Sequence, residues 1–411
     1  MRLFLCILFL ASPAWGAREA LRSVYELAQR QSELLKITEA RKQQADARKS
    51  LAVGAVLPTV TARYNYQEVD PLPGPASPFR RINQYSALVN LQQPIYRAGS
   101  FDGYNLTKID LALQERLKEQ EGIALWLSTG EAFYNLWVAK NDLVNVSELK
   151  AFSAQRVQEL RERVKVGRSR KGELLQAEAQ LAGVEADLAR AKNVLDQNLE
   201  QLRFLVGRDD FDLDFGALPK SEAPSGEFAS YLGKLAQRPD IKARAEEVRL
   251  NDKRVSIAKA GHQPTVDFQA NYFFERTGIL AESQWDIGVQ VSLPLFQGGT
   301  VVAGTREAVE RRRESELGLE LARRQAARDV RVLWQNRQAL DKVVADLSSA
   351  FTKARSNYEE NNRDYRYGLV TNLDVLQALN QFIDTKRAYE RALLERELVA
   401  LQLNLAVGDL P

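Results

Sequence analysis

Histidine and cysteine build most metal and nucleophilic sites, and this chain has one of each, His262 and Cys6. One imidazole leaves a histidine metal site or a serine–histidine pair almost nothing to use. Standing just before Pro264, His262 reads as a loop residue that precedes a strand. Cys6 sits in an apolar leader without the neighbours or spacing of a lipid-attachment site, so the mature chain is expected to have no disulfide and no thiolate nucleophile. No glycine-rich loop leads into Lys-Ser/Thr, so nucleotide phosphate has no cradle. These absences predict a protein that is not an enzyme and uses neither cofactor nor metal. Two short segments do have matched chemistry: Val166-Gly167-Arg168-Ser169 and Tyr367-Gly368-Leu369-Val370-Thr371. In each, glycine permits a tight reversal, and Ser169 or Thr371 can cap the helix that follows.

The elements that present those turns begin after an export signal. Arg2, the apolar run Leu3 to Leu10, and Ser12-Pro13-Ala14-Trp15-Gly16 make residues 1–16 a secretory signal peptide. The 411-residue chain is 45% hydrophobic and 27% charged, with mean hydropathy −0.35, which argues against a bundle of apolar transmembrane helices. The length allows two or three globular domains. With 57 basic and 54 acidic residues, the formal charge is +3, and no nucleic-acid partner is implied.

The chain is built twice. Beyond the two glycine turns, Leu175-Gln176-Ala177 recurs as Leu376-Gln377-Ala378 and Val206-Gly207 as Val407-Gly408, at an offset of about 200 residues. Leu57-Pro58-Thr59-Val60 matches Gln263-Pro264-Thr265-Val266, and Gln93-Pro94-Ile95 matches Leu293-Pro294-Leu295. An ordered series of this kind points to duplication, with repeats at 17–215 and 216–411. Each half reads as helix, two strands, long helix, turn, helix. The helical stretches are 19–53, 101–166 and 172–206, then 228–259, 301–366 and 372–406. At 1.5 Å per residue, the two shorter helices laid end to end would match the long one beside them, about 50 Å plus 50 Å against 100 Å. Seams of near-heptad spacing support helix pairing: Leu181, Val184, Leu188, Ala191, Leu195 and Leu202 against Leu143, Val146, Ser153, Val157, Leu160 and Val164. The second half supplies Leu340, Val343, Leu347, Phe351, Ala354 and Tyr358.

Between the helices the period changes to two. Val266, Phe268, Ala270, Tyr272 and Phe274 alternate with Asp267, Gln269 and Asn271. Trp285, Ile287, Val289, Val291 and Leu293 alternate with Asp286, Gly288, Gln290 and Ser292. Val60, Ala62, Tyr64 and Tyr66, then Tyr85, Ala87, Val89 and Leu91, repeat the pattern less cleanly. Stretches of about ten residues suit membrane-crossing β-strands. Residues 70–80 and 276–283 would be the external loops. Four strands cannot close around a lumen, and open edges do not survive in lipid, so several copies must share one barrel.

In its order of signal peptide, proline-flanked hairpins, long helices and glycine turns, the mature chain resembles the TolC-like outer membrane efflux protein family. The resemblance implies a mixed α/β membrane protein: a homotrimer with a 12-stranded transmembrane β-barrel continuous with a periplasmic α-helical barrel. It implies residence in the outer membrane of a Gram-negative bacterium, amid outer-membrane lipid, with a large periplasmic portion. A periplasmic adaptor (membrane fusion) protein and an inner-membrane pump would be the partners, with the glycine turns as adaptor-docking tips. The family constricts its entrance with acidic residues in Asp-Val-Leu-x-Ala, here Asp374-Val375-Leu376-Gln377-Ala378. Asp374 keeps the first acid and Gln377 replaces the second, while Val370 stands where the family often has arginine. Glu173 is the first-repeat equivalent, with Arg168, Arg170 and Lys171 near enough in sequence for closing ion pairs. The expected function is a passive exit duct of a tripartite efflux system, gated at its tips. A type I protein secretion conduit and a non-conducting periplasmic coiled-coil protein are the alternatives.

Overall fold

The computed structural model describes residues 14–68, 83–208, 227–277 and 281–408, with side chains described from residue 21 except at 83 and 84. Most of the predicted signal peptide and the whole 70–80 loop lie outside the described residues, as do 278–280 of the second loop. Two compact units are present, one of 1–36, 119–238 and 324–411, the other of 37–118 and 239–323. Both long helices contribute a stretch to each unit.

Two helices expected to be continuous are interrupted, each for a local reason. Residues 19–53 form α1 (Ala14–Gln31) and α2 (Glu33–Gly54), because Ser32 turns its hydroxyl to the Leu35 N–H at 3.3 Å and starts a new helix. In the second half, Pro239 forces Arg238 to ψ 134°. The 228–259 stretch is therefore α5 (Phe228–Lys234), a 3-10 turn and α6 (Pro239–Ala260). The remaining helices follow the sequence closely: α3 (Ala98–Lys165), α4 (Lys171–Val206), α7 (Thr300–Tyr367) and α8 (Asn372–Leu405).

In the first unit the α3–α4 seam packs as spaced. Val146, Val184 and Ala191 form one buried cluster, and Val157, Leu160 and Ala177 another. A larger core joins Val24, Trp126, Phe133, Tyr134 and Leu202 to Leu401 of α8, with Tyr25 edge-on to Trp126 at 4.2 Å. Fully burying such side chains stabilises by about 1.5–3 kcal/mol each. The α7 seam differs by one position, since Val344 is buried while Val343 is exposed. Further along, Phe351 and Tyr358 stack on Phe382 and Tyr389 of α8.

The second unit holds a four-stranded antiparallel sheet in the order β1 (Thr59–Glu68), β2 (Asn83–Arg97), β3 (Thr265–Arg276), β4 (Trp285–Ser292). Strand β2 is longer than its alternation indicated. Central strands seldom hold proline, and Pro94 is accommodated at a register shift against β3. In the same unit, ion pairs link neighbouring helices: Arg48–Asp110 joins α2 to α3, Lys253–Asp102 joins α6 to α3, and Arg312–Asp252 joins α7 to α6.

Candidate functional site

The sheet's register sorts its residues by face. Val60, Ala62, Tyr64 and Tyr66 pair with Leu91, Val89, Ala87 and Tyr85. Across β2 and β3, Leu91 meets Ala270 and Val89 meets Tyr272; across β3 and β4 these meet Ile287 and Trp285. One face is therefore apolar on all four strands. It is also bare: Tyr64, Phe274, Trp285, Ile287 and Val291 are each more than 60% exposed. The opposite face carries a polar row, Thr61–Asn90–Asn271–Asp286, in register, with Leu88 and Phe273 paired beside it. The Asn90 amide donates to Asn271 Oδ1 at 2.7 Å, and the Asn271 amide to Asp286 Oδ1 at 2.7 Å. A bare apolar face opposite a hydrogen-bonded polar face suits a wall between hydrocarbon and water.

The two glycine turns lie in the first unit and share one backbone solution. Gly167 (φ 72°) and Gly368 (φ 75°) occupy the left-handed region. Arg168 N–H donates to Arg163 C=O at 2.8 Å and Leu369 N–H to Asp364 C=O at 3.0 Å, closing α3 and α7 alike. Their flanks are exposed, including Val166, Arg168, Tyr367 and Leu369. The helix starts differ. Thr371 caps α8, accepting from the Asp374 N–H at 3.3 Å, while its own N–H and hydroxyl donate to the Asp374 carboxylate at 2.8 and 2.6 Å. The equivalent of Thr371 is Arg170, which caps α4 with no side-chain bond. Ser169, expected as the cap, lies one residue too early and donates its hydroxyl to the Glu173 carboxylate instead.

These bonds set the charge state at the turns. The Thr371 hydroxyl, then the Thr371 N–H, hold the Asp374 carboxyl below the usual aspartate value, so it stays ionised as pH falls into that range. Among the described residues, Asp374 and Glu173 make no ion pair with Arg168, Arg170 or Lys171. Gln377 is exposed one turn into α8. Val370 is half-buried.

The cluster that sequence reasoning missed lies beside these residues. Arg156 of α3 is buried, donates from Nε to Asn372 Oδ1 at 2.6 Å and from Nη1 to Glu159 at 2.9 Å, and stacks 3.6 Å over the Tyr365 ring. Arg163 stacks on the same ring at 4.6 Å and pairs with Glu159 at 2.8 Å. One guanidinium thus ties α3 to the end of α7 and the start of α8. Nothing in the spacing singled it out, since charged residues adjoin the seam repeatedly, as Glu159 does Leu160 and Arg163 does Val164.

A family model described as outer membrane efflux protein matches residues 24–208 and 234–409. Outer membrane protein TolC of Vibrio cholerae is 26% identical, over 98% of this chain and 93% of its own length. The alkaline protease secretion protein AprF of Pseudomonas aeruginosa is 22% identical, over 81% of this chain and 75% of its own. The crystal structure of the Campylobacter jejuni CmeC outer membrane channel superposes with a TM-score of 0.85 at 18% identity, covering 98% of this chain and 90% of that one.

Proposed function

Since the chain belongs to the outer membrane efflux protein family, we propose that it is the outer-membrane exit duct of a tripartite efflux system, a passive conduit that performs no catalysis. The two-faced sheet carries this reading: its apolar face meets lipid and its polar row faces water. Among the described residues, strands β1 and β4 each keep a free edge, and unpaired backbone is costly in hydrocarbon. Three copies would close a barrel of twelve strands, built from tandem repeats at 17–215 and 216–411, above a periplasmic helical barrel. A non-conducting coiled-coil protein would have no use for a bare apolar sheet face.

The turns around Gly167 and Gly368 are the docking tips for a periplasmic adaptor, and energy comes from an inner-membrane pump. Asp374, fixed in its own capping box, would bring like charges together around the axis and draw cations to the entrance. Gln377 and Glu173 complete the constriction more weakly, one uncharged and the other engaged by Ser169. Arg156 acts as the tie that holds the α7–α8 turn against α3 while the entrance is closed. Type I protein secretion is kept as a second reading by the similarity to AprF, a protein named for protease secretion.

Reconstitution of the full chain in planar bilayers tests the proposal. It predicts discrete channel currents that are small or gated at rest. A water-soluble, consistently insulating product would reject it.

A further inference from the structure

Within one chain, the two halves already meet along β2 and β3, and duplication makes that seam a template for another. The run from Val89 to Tyr96, VNLQQPIY, matches Val289 to Phe296, VQVSLPLF. The run from Leu57 to Tyr66, LPTVTARYNY, matches Gln263 to Tyr272, QPTVDFQANY. Strand β4 is thus the counterpart of β2, and β1 of β3, yet among the described residues β4 and β1 are the edges of the sheet, each paired on one side alone.

We propose that β4 of one copy pairs with β1 of the next in the register that β2 keeps with β3, with Phe296 seated on Leu57 of its neighbour. This rests on the shared-barrel reading above and adds which residues meet. Observed pairs Val89–Tyr272, Asn90–Asn271 and Leu91–Ala270 become Val289–Tyr66, Gln290–Asn65 and Val291–Tyr64 between copies. The faces agree without adjustment. Val289, Val291, Tyr64 and Tyr66 all lie on the apolar side, and Gln290 and Asn65 on the polar side. A shift of one residue would set apolar against polar along the seam.

Hydrogen-bonding groups agree as well. Gln290 uses its oxygen to accept from Gln269, at 3.4 Å, and Asn65 uses its nitrogen to donate to Ser86, at 3.5 Å. The Gln290 nitrogen and the Asn65 oxygen remain for each other, the same amide-to-amide bond that joins Asn90 to Asn271 at 2.7 Å.

At the end of the strands, the template contact changes character on both sides together. Inside the chain, the Tyr96 hydroxyl bonds Gln263 Oε1 at 3.0 Å. The counterparts are Phe296, which has lost the hydroxyl, and Leu57, which has lost the acceptor. In the single chain Phe296 is 88% exposed and Leu57 52% exposed. A polar pair within the chain is matched by an apolar pair waiting between chains.

Disulfide trapping in the full-length protein tests the register. In a Cys6→Ser background, Gln290→Cys with Asn65→Cys should yield cross-linked oligomers on oxidation, several-fold above Gln290→Cys combined with Arg63→Cys or Gln67→Cys. Preferential linking through Arg63 or Gln67 in a conducting preparation would overturn the register and leave the channel reading intact. No linking in a conducting preparation would overturn the seam itself, and an insulating, unlinked product would remove both proposals. For the apolar contact, Leu57→Gln and Phe296→Tyr should each reduce the fraction of detergent-resistant oligomer, and the double variant should recover it. Losses that simply add would reject the contact.

Discussion

Gly167 and Gly368 hold φ near +72° and +75°, and nothing stands within 4 Å of where a Cβ would project. A side chain there would be opposed by the backbone alone, at about 1–2 kcal/mol. Gly368→Ala should therefore lower thermal stability, whereas Gly172→Ala, in open space in the first turn of α4, should leave it unchanged or raise it slightly. Equal effects in a melting comparison would show that the turn's left-handed residue carries no strain. Glu390 gives a second prediction at this scale. Burial raises its carboxyl above the usual glutamate value; the Asn145 amide, donating at 2.6 Å, and Lys386 oppose the rise, while Asp142 and Glu148 add to it. A folded-state value above the unfolded one means that the native protein binds the proton more tightly, so stability falls as pH climbs from the ordinary glutamate range through the raised value. Glu390→Gln should therefore stabilise the protein at neutral pH and lose that advantage in acid. A gain that persists undiminished at low pH would contradict burial as the cause. The glycines could be seen in the sequence because a conformational demand leaves a residue type behind. Glu390 could not, because its environment comes from α3, which is remote in the chain.

Helices and their contacts show the same division. The seam at Val146, Val157, Leu160, Val184 and Ala191 could be read from spacing because a buried stripe must repeat with the helical period. The breaks at Ser32 and Pro239 were also written in residue type, a capping hydroxyl and a proline, set as single residues within stretches otherwise rich in helix formers. Arg156 was harder to recognise. Its partners Asn372 and Tyr365 lie more than two hundred residues away in the chain, and only the packing of three helices brings them together. Truncating Arg156 removes its hydrogen bonds to Asn372 and Glu159 and its stack on Tyr365, a loss of about 2–5 kcal/mol for a buried, hydrogen-bonded charge. Arg156→Ala should free the α7–α8 turn and raise the open fraction of single channels without dissolving the oligomer. Arg156→Lys should be nearly as permissive, since lysine cannot supply two directed donors and a planar stack. Channels as quiet as wild type in an intact oligomer would reject the tie. Close packing also joins α3 to α8 elsewhere: a Cβ on Gly130 would come within 2.4 Å of Leu401 Cδ2, so a side chain there would require Leu401 to shift. No periodic pattern marks that glycine.

At the scale of the molecule, alternation in four short segments carried most of the architecture. Period-two patterning fixes which residues share a face, and the observed register places Val60, Ala62, Tyr64 and Tyr66 of β1 and Trp285, Ile287, Val289 and Val291 of β4 on one side, while Leu293 falls beyond the end of β4. Strand order and the bulge beside Pro94 were not legible, because pairing is settled between strands and not along them. The matched segments of the two halves are written in the sequence itself, and among the described residues β1 and β4 are the edge strands of the sheet. The central claim is that the polar face of this sheet lines a water-filled conduit while the apolar face lies in lipid. It is tested most directly by substituting Gln290 and Val289 singly with cysteine in a Cys6→Ser background and adding a charged, membrane-impermeant thiol reagent during single-channel recording. The account predicts that current through the Gln290→Cys channel falls as the reagent enters the lumen, while the Val289→Cys channel conducts unchanged. Block at Val289 with none at Gln290 would contradict it.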